Sequence, residues 1–294
     1  MERKSLGKRV WGIVSPILVN LGVAFVVEWI ILTIYYLPHI PRLVQMQLTQ
    51  EQLIEEMFEL ANVVYQYVVE ISALSALLTV PILVFMKKKD SKKERELGIL
   101  PNKKAPLSKY LYIAVVSVCL AVVANNIITL ANLAEYSESY KKVEETLYSP
   151  SLPVQILCLG VVIPICEEYV FRALIYRRMR NPRLPMAAMI SSSMIFGLYH
   201  MNGVQFLYAT VCGVFLAYVY EKYGSMKAPI LAHILMNTVV CILSEVNAFA
   251  WMFSNATRMA VVTAVCAAVG SAVFLLIRQI DEKPTVERVE SVEE

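Results

Sequence analysis

Six residues in the second half of this 294-residue chain have the types and spacing to do chemistry. The stretch ICEEYVFRALIYRR holds two adjacent carboxylates, Glu167 and Glu168, with Arg172 following at the fourth position. FGLYH sets His200 four residues after Phe196, and HILMN sets Asn237 four residues after His233. On a helix, residues four apart stack on one face while neighbours are turned by about 100°. Glu168 is therefore placed to pair with Arg172, and Glu167 points elsewhere without a local counter-charge. A desolvated carboxylate holds its proton more tightly, which suits a general base or a shared acid and base near neutral pH.

Together these residues contain the pieces for amide hydrolysis. A glutamate can act as base, imidazoles can position or ligate the nucleophilic water, and an amide donor can meet the developing oxyanion. Glu167, His200 and His233 are also a catalytic zinc inventory, two histidines and one carboxylate with a fourth position open. Residue types and spacing do not separate the two, although the single-helix H-E-x-x-H motif is absent. A plainer reading puts the charged trio at a membrane interface, with Arg172, Arg177 and Arg178 snorkelling to headgroups and the carboxylates balancing them. One histidine in an apolar segment would be a hydrogen-bonded core residue. Two histidines, an asparagine and an unpaired glutamate on three such segments argue instead that they face one another inside a bundle.

The elements that must position them are membrane spans. Hydrophobic residues make up 57% of the chain and charged ones 17%, with a mean hydropathy of +0.57, which places it among polytopic membrane proteins. Apolar runs near 10–37, 60–86, 110–134, 153–176, 186–201, 204–222, 228–249 and 257–278 predict an all-α, polytopic bundle of about eight transmembrane helices with an intramembrane catalytic cavity. The fifth run is short, but NPRLP and MNG bound it with turn signals. The run after MERKSLGKR is too long for a cleaved signal peptide.

Lysine and arginine collect in the N-terminus, in the segment 87–109 and in RRMRNPR, whereas the connections after spans one and three carry more acid than base. Both termini are therefore expected in the cytoplasm of a multi-pass protein, with the cell membrane as its place. Glu167 lies about ten residues before RRMR, so the cavity is expected to open toward that side. The formal net charge is only +3 and its basic residues sit in short loops, which gives no footing to nucleic-acid binding. The partners expected are the lipid bilayer and a peptide or protein substrate at the membrane. Six scattered cysteines without a CxxC pair read as small apolar residues, and Cys166 lacks any feature that would activate its thiol. Glu28 reads as an interfacial acid, Asn125 and Asn126 as interhelical hydrogen-bonding residues, and residues 42–59 as either a surface amphipathic helix or a polar connection. The acidic end, DEKPTVERVESVEE, reads as a solvated tail.

EEYVFR, FGLYH and HILMN match E-E-x-x-x-R, F-x-x-x-H and H-x-x-x-N, in the order seen on successive helices of the CPBP intramembrane proteases. The chain resembles that family, which includes type II CAAX prenyl endopeptidases and bacteriocin-processing or abortive-infection-like proteins, over roughly residues 150–250. The resemblance implies that Glu167 and His200 activate the water, that His233 and Asn237 stabilise the oxyanion, and that Glu168 and Arg172 form a supporting pair. It is compatible with a metal-independent glutamate mechanism and with zinc.

Three parts follow: N-terminal spans and loops over 1–150, a protease core over 151–250, and a last span with an acidic cytoplasmic tail over 251–294. The expected function is hydrolysis of a peptide bond in a membrane-associated, prenylated or leader-peptide substrate. One rival is a non-catalytic membrane immunity or adaptor protein. The other is a proton-coupled transporter, against which stands the lack of a visible repeat or of paired broken helices.

Overall fold

The computed structural model describes residues 6–131, 133, 137–180 and 184–281, and all regular structure among them is helical. Helix α1 (Leu6–Tyr36) passes through one tight turn into the short α2 (Ile40–Gln45). Helix α3 (Gln50–Tyr65) opens on a capping box, in which the Thr49 hydroxyl accepts from the Gln52 N–H and the Gln52 side chain accepts from the Thr49 N–H. Then follow α4 (Val68–Glu96), α5 (Tyr110–Leu130), α6 (Glu138–Leu147) and α7 (Leu152–Met179). The chain continues through α8 (Pro185–Tyr199), α9 (Gly203–Tyr223), α10 (Lys227–Glu245), α11 (Ala248–Phe253) and α12 (Ala256–Arg278).

Among the described residues seven helical segments, α1 with α2 and then α4, α5, α7, α9, α10 and α12, are long and apolar enough to cross a membrane. The fifth expected span is present as α8, but its 15 residues reach about 22 Å against the roughly 30 Å of a hydrocarbon core. Helix α8 ends early because Met201 turns into the left-handed region and Asn202 caps the next helix, accepting from the N–H groups of Val204 and Gln205. Outward faces of α1 and α12 carry exposed Phe25, Trp29, Val261, Val265 and Val269, which suits a hydrocarbon surrounding.

Two expected boundaries differ. Residues 60–65 belong to α3 instead of the second span, because the helix breaks at Gln66 and Tyr67. At its other end α4 continues through Lys87–Glu96 instead of entering a loop, since lysine, arginine and glutamate sustain helix well outside an apolar layer. That polar extension meets the end of α7: Arg178 pairs with Asp90 at 2.6 Å, and Arg177 pairs with Glu94 and donates to Ser91. These two arginines are thus held by α4. At the same basic end Arg180 and Tyr176 both bond Glu221. Gly224, in the left-handed region, lies so close to the loop before α5 that a Cβ would stand 2.4 Å from the Lys103 carbonyl. The acidic tail lies, except for Asp281, outside the described residues.

Among the described residues, the two largest buried clusters form most of the core. Ile113, Phe215, Leu216, Ala228 and Ile277 join α5, α9, α10 and α12. Leu83, Cys166, Phe171, Leu174, Ile175 and Phe196 join α4, α7 and α8. The candidate site sits where α7, α8 and α10 meet.

Candidate active site

Helix α7 is not uniform. Ile156–Val162 and Tyr169–Tyr176 are π-helical, with the α-helical Ile163–Glu168 between them. A π segment closes its hydrogen bonds five residues apart and turns more slowly, a device found mostly at functional sites. The pair of glutamates therefore lies at the end of one α-helical stretch bracketed by wider turns, a change of phase that the apolar pattern does not encode.

Glu168 Oε1 accepts from Arg172 Nη1 at 2.7 Å, as the four-residue spacing predicts, and also from His233 Nδ1 at 2.8 Å. The pair is buried, with Glu168 at 0% and Arg172 at 2% exposure. Arg172 is further fixed by donating from Nη2 to the Gly213 carbonyl at 3.2 Å and by lying 4.5 Å from the centroid of the Phe196 ring. Glu167 points elsewhere, but it does not lack a partner as expected from its own helix. Its Oε2 stands 3.6 Å from Nε2 of His233. One imidazole thus spans both carboxylates, each through a different nitrogen. With Nδ1 donating to Glu168, Nε2 is an acceptor in the neutral ring and a donor in the doubly protonated one.

Helix α10 can bring His233 and Asn237 this close because Gly160 on α7 lacks a side chain. A Cβ there would stand 2.7 Å from the hydroxyl oxygen of Thr238. Asn237 donates from Nδ2 to the Leu159 carbonyl at 3.0 Å, which fixes the orientation of its amide.

His200 closes α8. Its Nδ1 lies 2.9 Å from the Phe196 carbonyl; a proton donated there leaves the Nε2 lone pair outward. The Phe196 ring meets both imidazoles edge to face, with centroids 4.9 Å from His200 and 5.9 Å from His233. Among the described contacts His200 makes no hydrogen bond or ion pair to Glu167. The structure thus gathers Glu167, Glu168, Arg172 and His233 in direct contact, sets Asn237 one turn along α10, and places His200 across Phe196.

Two neighbours were not singled out from the sequence. Asn20 of α1 donates to the Tyr199 hydroxyl at 2.7 Å and lies 3.4 Å from the sulfur of Cys166, beside Glu167. A lone asparagine in an apolar run was the only signal for Asn20, and Tyr199 had none beyond its place within FGLYH. Elsewhere Asn126 does join two helices, donating to Thr263 at 2.8 Å, but Asn125 bonds the Ala121 carbonyl of its own helix. Glu28 is exposed on α1, away from this cluster.

Toward the arginine-rich end α7 is closely packed. On that side of Glu167, every residue from Val170 to Tyr176 is buried. A cavity of about 240 Å³ lies on the other side, lined by Leu159 and Ile163 of α7, Val68 and Ser72 of α4, and Lys142 and Leu147 of α6. Helix α6 roofs this end: Ser139 accepts from Asn202 at the α8–α9 turn, and Tyr140 packs on Val204. Burial raises the Glu144 carboxyl above the usual carboxylate range, against the opposing hydrogen bond from Tyr140.

As placed here, Glu167, His200 and His233 are not gathered around one point: among the described residues no group of three His, Cys, Asp or Glu side chains could hold a metal ion.

Comparison with known proteins falls on this same segment. Residues 149–239 match the family model described as type II CAAX prenyl endopeptidase Rce1-like. The "Putative membrane peptidase YdiL" of Bacillus subtilis (strain 168) is 30% identical over 109 residues, 37% of this chain. The chain spans 45% of that relative's length. No solved structure matches. EEYVFR, FGLYH and HILMN all lie in the segment that is similar to the Rce1-like family.

Proposed function

We propose that this protein is an intramembrane endopeptidase that cleaves a membrane-associated peptide with a glutamate-activated water. The observation that carries the reading is the buried His233, clamped at Nδ1 by Glu168 and facing Glu167 with Nε2. Glu167 removes a proton from water, and the oxygen attacks the scissile carbonyl carbon. The doubly protonated His233 and the second N–H of Asn237 receive the oxyanion, where charge develops in a dry, preorganised site. Glu167 then returns its proton to the departing amine as the C–N bond breaks, so it ends as it began. His200, with the Nε2 lone pair outward, orients the water. Glu168 and Arg172 hold the His233 ring. No step is routed through a metal.

Prenylated C-terminal tails are the first substrates to try, given the name of the matching family. Leader peptides and secreted signalling peptides are the others. A place in the cell membrane with both termini cytoplasmic goes with this reading, as the basic N-terminus, the segment 87–109 and RRMRNPR favour. Purified protein in lipid nanodiscs, incubated with a farnesylated tail peptide and with unprenylated leader peptides, tests the reading by mass spectrometry of the products. A cut made by the wild type and absent from Glu167→Gln supports it. Equal cutting by both overturns the glutamate-activated mechanism, and none on any membrane-associated peptide overturns the reading in favour of a non-catalytic membrane protein.

A further inference from the structure

Leu159 carries a backbone carbonyl that its own helix does not satisfy. In an α-helix its donor would be the N–H of Ile163, but that group reaches back five residues to Cys158, in the π register. In the π register its donor would be residue 164, and residue 164 is proline, which has no N–H. The vacant acceptor is filled from another helix, by Nδ2 of Asn237 at 3.0 Å. A carbonyl inside an apolar layer needs such a donor, so this bond is strongly favoured. Gly160, next in the chain, supplies the close approach that lets α10 reach it.

We propose that Pro164 is a positioning residue for Asn237. By withholding a donor at the one place where the π register ends, it reserves the Leu159 carbonyl for the Asn237 amide. One N–H of that amide is anchored and the other is left for the oxyanion. This rests on the endopeptidase reading for its effect on turnover, but not for the hydrogen bond itself. Pro164 is three residues before Glu167, so the same short α-helical stretch sets the base and, through Leu159, the oxyanion donor.

The test compares Pro164→Ala, Asn237→Ala and the double variant, using the farnesylated tail peptide, or the leader peptide if that is the one cleaved. Alanine adds an N–H that competes for the Leu159 carbonyl. Turnover should fall about ten- to a hundredfold with KM little changed. On the Asn237→Ala background, the proline change should cost nothing more. Replacing Pro164 by lactic acid, whose ester oxygen also lacks an N–H, should keep activity within about twofold of wild type, which separates the missing donor from the ring. In protein labelled with 15N-asparagine, the Asn237 side-chain amide, assigned by its loss in Asn237→Ala, should shift in Pro164→Ala and stay in place in the lactic acid variant. Losses that multiply, an unmoved amide signal, or a lactic acid variant as impaired as alanine would each overturn the proposal. The amide signal needs no substrate. A shifted signal in a protein that cleaves nothing removes the endopeptidase reading alone, and an unshifted one in an active protein removes the role of Pro164 alone.

Discussion

His233 donates through Nδ1 to Glu168 at 2.8 Å, on the same carboxylate oxygen that binds Arg172 at 2.7 Å. The second glutamate therefore orients an imidazole as well as neutralising an arginine. Glu168→Gln keeps an oxygen for His233, but the amide can turn its NH2 toward the ring and select the other tautomer. Turnover is expected to fall about a hundredfold or more while the protein stays inserted. Unchanged turnover in folded Glu168→Gln would show that the ring needs no such anchor.

Glu167 makes a different prediction, because its one described polar contact is the 3.6 Å approach to His233 and it is not part of the Arg172 pair. Glu167→Gln should accumulate, insert and unfold like the wild type, yet cleave no peptide. Circular dichroism and thermal unfolding in detergent check the first half, and product analysis checks the second. A Gln variant with wild-type cleavage would remove Glu167 from the chemistry.

Arg172 is a matter of stability. It is 2% exposed and holds Glu168, the Gly213 carbonyl and the face of Phe196 at once. Arg172→Ala leaves a buried carboxylate without its charge partner, a loss of about 3–5 kcal/mol in such pairs. Its expression and thermal midpoint should drop clearly. Arg172→Lys should recover little, since an ammonium has neither the planar fork nor the stacking face. Full recovery by lysine would mean that charge alone matters at this position.

The direct contacts of the site were legible where they follow from one helix: Glu168 with Arg172 is the four-residue rule in operation. Contacts between helices were legible only as an inventory. That His233 reaches both glutamates, and that Phe196 meets both histidines, depends on where α8 stops and how near α10 comes. The π segments of α7 were not legible, because an apolar run reads alike in either register; Pro164 was the one visible irregularity. The polar extension of α4 was missed for a simpler reason, that a charged run was taken to end a helix as well as a span.

Close packing between α7 and α10 can be tested by compensation. A Cβ on Gly160 would meet the Thr238 hydroxyl at 2.7 Å, too near to be accommodated without moving one helix. Gly160→Ala should displace Asn237 from Leu159 and lower turnover by about tenfold or more. Removing the obstruction with Thr238→Ala in the same chain should restore most of it. If the double variant is no better than Gly160→Ala, the glycine matters for some reason other than this approach.

The arrangement of donors also predicts how the protein responds to metal removal. Each histidine places Nδ1 on an acceptor, Glu168 for His233 and the Phe196 carbonyl for His200, so only Nε2 of either ring could face a metal. No three side chains of the right type converge among the described residues, so a zinc ion would have to pull α8 and α10 into a new packing to gain its ligands. Purified protein is therefore expected to contain no stoichiometric zinc, and cleavage should persist after incubation with a chelator. His233→Ala should lower turnover about a hundred- to a thousandfold, the loss of one oxyanion donor, with little change in KM. Metal analysis of the wild type and of His233→Ala, run beside turnover with and without chelator, decides between the two chemistries. Stoichiometric zinc that disappears in His233→Ala, together with activity lost to chelator and restored by added zinc, would replace the oxyanion role with a metal-ligand one.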